Sequence, residues 1–263
     1  MYNCKNLLND SIESYYWIGF IVADGCISKF LNKSKNEVIR LTINLHKKDR
    51  CILENLVKFL KNGHIIDYGD YTKVAYVTGA SEVKNKFKFN YQKTYNPTDF
   101  SVFENCTNDQ LLALLCGIID GDGSITYKHD NTTVFIRIAA YYKWQNFYEK
   151  LLNRLNIHFT IIQDKETAIS ICIQDKYGIF DLYDKVLKLN LPLLKRKWDK
   201  IKTIPKDKNN WIPIEQYDLN GNKINEFKSL EEAEQKTGIK AYGICKCCKG
   251  KIKKSGGYIW KYK

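Results

Sequence analysis

Two nonapeptides constrain this chain more than anything else in it: Trp17-Ile18-Gly19-Phe20-Ile21-Val22-Ala23-Asp24-Gly25 and Leu115-Cys116-Gly117-Ile118-Ile119-Asp120-Gly121-Asp122-Gly123. Each is an apolar run of helical length with a glycine in its middle and Asp-Gly at its end, and the two final acids stand 98 residues apart. A helix that ends on a carboxylate runs against its own dipole, whose C-terminus already carries partial negative charge. One such helix is readily explained as core packing. Two in matching surroundings are not.

The surroundings do match. Asp10-Ser11-Ile12-Glu13 and Thr107-Asn108-Asp109-Gln110 both have the form of a capping box, predicting helices over about 11–23 and from Thr107 to near Gly121. Short strand-like segments follow at 26–30 and 124–128, then polar turns at 32–36 and 129–131. Strictly alternating strands come next. Arg40, Thr42, Asn44 and His46 lie opposite Ile39, Leu41, Ile43 and Leu45, and Thr133, Phe135 and Arg137 lie opposite Val134, Ile136 and Ile138. An amphipathic helix follows in each copy, at 52–57 and 147–152. Then comes a hairpin, turning at Gly69-Asp70 in one and near Asp164-Lys165 in the other. Basic runs at 86–93 and 195–202 close the copies. The order helix, strand, strand, helix, strand, strand, helix therefore occurs twice, which predicts an α+β fold made by duplication of one unit. The period is too long for a solenoid repeat.

Gly19 and Ala23, like Gly117 and Gly121, are four residues apart and stack on one helix face. Strips without side chains let two helices approach more closely than the usual ~8–10 Å. Pairing through these strips would bring Asp24 and Asp122 together at two helix C-termini, where something positive must offset them. Paired carboxylate oxygens suit Mg²⁺ or a similar hard cation. A calcium loop at 120–131 is excluded because its sixth and twelfth positions are Ile125 and Asn131 rather than Gly and Glu.

Composition narrows the partner. With 42 Lys and Arg against 29 Asp and Glu, the formal net charge is +13, which favours nucleic acid first and an anionic membrane second. The apolar run at 17–23 is far short of the ~20 residues needed to span a bilayer, and 1–10 is too polar for a signal peptide. The nine cysteines are odd in number and mostly set in apolar runs, as expected of reduced thiols in a soluble intracellular protein. Bound metal in a basic chain with polar-faced strands points to metal-assisted phosphodiester hydrolysis.

The two nonapeptides resemble the LAGLIDADG motif of homing endonucleases. The second, LCGIIDGDG, is close to it, and the first, WIGFIVADG, departs at Val22, where the motif has its first Asp. The resemblance covers about 10–204. It implies a monomer of two pseudo-symmetric αββαββα halves whose motif helices form the interface, and whose antiparallel sheets make a saddle for double-stranded DNA. It further implies a staggered, Mg²⁺- or Mn²⁺-dependent double-strand cut. The last Asp of each motif, Asp24 and Asp122, is then the metal ligand, with Ala23 and Gly121 beside them in the metal site. By position, Lys93 and Lys197 are the basic residues expected near it. Ser28, Arg40, Thr42, Asn44 and His46 of the first copy would face DNA, as would Thr126, Thr133, Phe135 and Arg137 of the second. An intron maturase, or a DNA- or RNA-binding protein that does not cleave, would use the same scaffold.

The expected division is 1–100 for the first half, 101–204 for the second, 205–212 for a linker and 213–263 for a small module. From Pro213 onward the chain has eleven Lys against six Asp and Glu. Ser229-Leu230-Glu231-Glu232 predicts a helix to about Lys236, Thr237-Gly238 a break, and 240–247 a second short helix, together a helix-turn-helix-like unit. Tyr217-Asp218-Leu219-Asn220-Gly221-Asn222 reads as a strand running into a turn. Tyr217-Asp218-Leu219-Asn220-Gly221, Ser229 to Ala233 and Lys254-Ser255-Gly256-Gly257-Tyr258-Ile259-Trp260 resemble the small DNA-binding module often appended to homing endonucleases. That resemblance makes Lys240, Lys246 and Lys249 candidate DNA contacts. A frame opening at Met1 points to a free-standing or intron-encoded protein rather than an intein, and leaves the compartment, phage or bacterial cytoplasm or an organelle, undetermined.

Overall fold

The structure is a computed structural model that describes residues 2–127, 134–204 and 212–263. The chain folds as two compact units, Met1–Ile204 and Pro205–Lys263. The turn expected at 129–131, most of the expected linker and Thr133 lie outside the described residues.

The first unit contains the element order helix, strand, strand, helix, strand, strand, helix twice. In the first half these are α1 (Ile12–Asp24), β1 (Gly25–Leu31), β2 (Glu37–His46), α2 (Arg50–Leu60), β3 (Ile66–Tyr68), β4 (Tyr71–Tyr76) and α3 (Ala80–Lys86). In the second they are α4 (Asn108–Gly121), β5 (Gly123–Tyr127), β6 (Val134–Tyr141), α5 (Gln145–Arg154), β7 (Thr160–Lys165), β8 (Ala168–Ile173) and α6 (Lys176–Lys188). A further helix, α7 (Lys195–Lys202), has no counterpart in the first half. The class is α+β, with antiparallel four-stranded sheets of order β1-β2-β4-β3 and β5-β6-β8-β7.

The motif helices are apolar on every side because both sit inside one core, which buries Trp17, Ile18, Phe20 and Ile21 together with Leu114, Leu115, Ile118 and Ile119. The second capping box is complete, Thr107 and Gln110 each accepting from the other's backbone N–H. The first forms one residue later than the sequence pattern suggests. Ser11 caps through Ser14 N–H at 3.2 Å, and Glu13 accepts from the Trp17 indole instead. The second hairpin turns after Lys165, a little beyond the expected Asp164-Lys165, and a bulge at 163/165 absorbs the shift.

The two basic runs part company. Lys195–Lys202 is helical because Trp198 and Ile201 face the core from one side of it. The run at 86–93 leaves its helix at Lys86, with Lys88 and Gln92 in left-handed turn conformations.

The second unit is built on a sheet that its helix pattern did not predict. Strands β9 (Ile214–Tyr217), β10 (Lys223–Phe227) and β11 (Ile259–Tyr262) pair in the order β10-β9-β11. Helices α8 (Leu230–Thr237) and α9 (Ala241–Cys248) complete it. Ser229 caps α8 through Glu232 N–H, and Gly238, at φ +71°, ends it as expected of a Thr-Gly break. Ile214, Phe227, Ala233, Ile244, Cys247 and Trp260 form its core. Of the three clustered cysteines only Cys247 is buried, while Cys245 and Cys248 are partly exposed on α9.

Candidate active site between two helix ends

Helices α1 and α4 touch backbone to backbone. A methyl group placed on Gly19 would lie 1.9 Å from the Leu114 carbonyl oxygen, and one on Gly117 would lie 1.9 Å from that of Tyr16. One turn further on, a Cβ on Gly121 would meet the Ala23 methyl at 2.3 Å and Asp24 Oδ2 at 3.3 Å. The small-residue strips thus face each other and carry Asp24 and Asp122 to a common point.

Burial pushes the Asp24 carboxyl up to about 6, with the Asp122 charge adding to the rise. Asp122, more open to solvent, is also raised, by desolvation against the surrounding protein. Both effects are opposed by Lys93 and Lys197.

Those lysines are buried, and they cap the motif helices. Lys93 Nζ donates to the Val22 carbonyl at 2.6 Å and to that of Ala23. Lys197 Nζ donates to the carbonyls of Ile119, Asp120, Gly121 and Gly123 at 2.7–3.0 Å. Burial lowers both ammonium pKa values, and the nearby acids partly restore them. The offset to the two acids and two dipole ends is therefore partly built into the chain.

Asp120, the extra acid of the second motif, does different work. It is buried and accepts from Tyr16 Oη at 2.8 Å, Leu194 N–H at 2.9 Å and Trp198 Nε1 at 2.7 Å, which ties α7 to the motif helix. Val22, its counterpart, is packed in the core.

Among the described residues no three His, Cys, Asp or Glu side chains converge as a metal cage. Two carboxylates with backbone carbonyls beside them suit Mg²⁺, which keeps waters and takes further oxygens from a substrate phosphate. The Ala23 and Gly121 carbonyls each accept from a lysine and keep a second lone pair.

The sheet residues are arranged less uniformly. Arg40 is exposed over the Phe30 ring, and Asn44 accepts from Tyr68 Oη at 2.7 Å. His46 Nδ1 accepts from Lys48 N–H at 3.2 Å, and Ser28 pairs across from Arg40. The Thr42 and Thr126 hydroxyls are shielded from solvent with no hydrogen-bond partner among the described residues. Phe135 is half-buried, and Arg137 is held by Asp164 at 2.5 Å and Ser170 Oγ at 2.6 Å. Tyr71 and Lys73 of β4 share the face of Asn44 and His46, since they pair directly with them. Sequence reading nominated neither, although Tyr71, Lys73 and Ala75 alternate with the buried Thr72, Val74 and Tyr76. In the second unit Lys240 is paired with Glu234 at 2.8 Å, Lys246 lies over the Tyr242 ring, and Lys249 makes no salt bridge among the described residues.

Two abutting apolar helices that carry paired acids between two antiparallel sheets define the fold of the LAGLIDADG meganucleases. The chain resembles I-SmaMI bound to uncleaveable DNA (TM-score 0.54, 17% identity, 77% of this chain and 93% of that one). It also resembles I-DmoI in complex with DNA and Ca (TM-score 0.51, 17% identity, 72% of this chain and 96% of that one). I-AabMI bound to uncleaved DNA is a third (TM-score 0.51, 15% identity, 73% of this chain and 87% of that one). Residues 17–101 match the LAGLIDADG endonuclease family model and residues 212–247 the NUMOD1 domain model. The chain is also 47% identical over 51 residues to an uncharacterized HNH endonuclease of Acanthamoeba polyphaga mimivirus, a match spanning 19% of this chain and 16% of the relative. A second such mimivirus protein is 50% identical over 42 residues, 16% of this chain and 11% of that protein. No helix among the described residues is long and apolar enough to cross a membrane.

Proposed function

We propose that this chain is a site-specific DNA endonuclease that makes a staggered double-strand cut as a monomer, with Asp24 and Asp122 as metal ligands. The observation that carries this is the placing of two carboxylates, one of them partly buried, at abutting helix ends, with a buried lysine on each helix terminus. That the similar I-SmaMI and I-DmoI structures hold DNA supports the substrate class.

Mg²⁺ or Mn²⁺, when bound, would polarise the scissile phosphate, lower the pKa of an attacking water and stabilise the leaving 3′ oxygen. The chain's own residues do the rest. Asp24 and Asp122 would hold the cation through their carboxylate oxygens, with the Ala23 and Gly121 carbonyls beside them. Lys93 and Lys197 counter the burial that raises both carboxyl pKa values and place positive charge beside the site. Ser28, Arg40, Asn44 and His46, with Phe135 and Arg137 on the other sheet, contact base edges and backbone. The NUMOD1 unit adds affinity by tethering, through Lys246 and Lys249. Lys240 is less available because Glu234 already holds it.

The test uses the full chain and duplexes enriched from a random pool by binding. Mg²⁺ should linearise a plasmid carrying the enriched site, while EDTA, Asp24→Asn or Asp122→Asn should abolish cutting and leave binding. Tight binding without nicking in Mg²⁺ or Mn²⁺ would overturn the reading in favour of a binding protein or maturase.

A further inference from the structure

The two sheets are not equivalent where they come closest to the acids. Gly25 pairs with Ile43 as Gly123 pairs with Ile138, so Asn44 corresponds to Ala139 and His46 to Tyr141. Opposite them, Lys73 corresponds to Ser170 and Tyr71 to Ala168. The first sheet therefore ends in two residues with free donors. Asn44 spends its carbonyl on Tyr68 Oη and keeps its amide N–H groups, and Lys73 lies over the Tyr68 ring with its ammonium unpaired by any acid among the described residues.

At the same place the second sheet carries Ala139 for Asn44, Ala168 for Tyr71 and the short Ser170 for Lys73. The result is a hollow of about 480 Å³ lined by Ala139, Ala168, Tyr95 and Trp144 and bordered by Asp122 and Lys93. Asp164, on its rim, is already engaged. Ser170 Oγ accepts from Arg137 and donates to Asp164, and Arg137 pairs with Asp164. Tyr141 packs against Tyr95 and Tyr142, with ring centroids 5.1 and 4.6 Å away.

We propose that the chain reads its target asymmetrically beside the cut. Asn44 and Lys73 select bases on the first half's side, while the hollow at Ala139 and Ala168 leaves the matching positions on the other side to water and so unselected. This rests on the endonuclease reading above. A side chain that bonds a base edge directly discriminates against the wrong base. A water layer between protein and base reorients to suit any of the four.

The experiment is a binding selection of the full chain on a random duplex pool with Ca²⁺, followed by sequencing. The expected result is about tenfold base preference at the innermost positions on one side of the centre, with no comparable preference at the mirrored positions. Asn44→Ala and Lys73→Ala, both at exposed or half-exposed sites, should each flatten the preferred side and leave the outer positions unchanged. Equal preference on both sides, or flattening of the opposite side, overturns the asymmetry alone. A pool that enriches no sequence overturns the endonuclease reading with it.

Discussion

The Asp120 carboxylate accepts a 2.7 Å hydrogen bond from the Trp198 indole, across 78 residues of sequence. Tyr16 and the Leu194 backbone N–H occupy the same carboxylate, so the acid joins three separate parts of the first unit. Removing it leaves buried donors unsatisfied, each costing about 1–3 kcal/mol. Asp120→Ala should therefore lower unfolding free energy by about 3 kcal/mol or more in urea titration. Divalent-cation affinity of the folded fraction should stay unchanged, which calorimetry would show.

Asp24 behaves in the opposite sense. Its folded pKa of about 6 lies above the ordinary 3.8, so the folded state binds the proton more tightly than the unfolded chain. Stability of the metal-free protein should then fall as pH rises from about 4 through about 6, and level off above that. A tenfold difference in proton affinity is worth about 1.4 kcal/mol, and the partial exposure of the carboxyl reduces the effect, leaving a penalty of about 1–2 kcal/mol at neutral pH. Asp24→Asn in EDTA should melt several degrees higher than the parent at pH 7.5 and alike at pH 4. A variant no more stable at pH 7.5 would show that the acid carries no such penalty.

Lys197 caps more carbonyls than Lys93, four against two. Replacing either by methionine keeps the stem's packing and strips the donors. Lys197→Met should cost about 2–4 kcal/mol and Lys93→Met about half as much, ranked by equilibrium unfolding.

Gly19→Ala and Gly117→Ala place a methyl 1.9 Å from a carbonyl oxygen of the facing helix, and backbone cannot move aside as a side chain can. Either should cost more than about 4 kcal/mol or prevent folding. Gly69→Ala, in an open turn at φ +51°, should cost only about 1 kcal/mol. Circular dichroism melts of the three distinguish contact from conformational strain.

In the NUMOD1 unit, Lys246→Ala with Lys249→Ala should weaken DNA binding and reduce the slope of log K against log salt by about 2. Lys240→Ala, whose partner is Glu234, should change the slope less. Fluorescence anisotropy across a salt series measures both.

Much of this was legible in the sequence, because it rests on local pattern. The glycine strips, the second capping box and the β2 and β6 alternation all follow from spacing of a few residues or from the repeat, while Lys93 and Lys197 were nominated only through the resemblance to the LAGLIDADG motif. What was not legible depends on contacts distant in sequence. The role of Asp120 needs Tyr16 and Trp198 beside it. Arg137 offers a positive face until Asp164, 27 residues on, is folded against it. Of the β9 sheet only the strand entering the turn at 217–222 was legible, because its third strand, β11, lies 42 residues beyond the end of the first, with both helices between. The hollow beside Asp122 is a difference between two sheets and has no sequence pattern of its own.

The contact of Gly19 with Leu114 and of Gly117 with Tyr16 is made by main chain alone. The separation of Asp24 and Asp122 is consequently a property of two backbones, indifferent to which side chains the strands display. Substitutions on β2, β4, β6 and β8 can redraw either sheet face while the distance between the acids stays put. If the chain cuts both strands as proposed, any duplex the sheets come to accept must bring its two scissile phosphates to that fixed gauge.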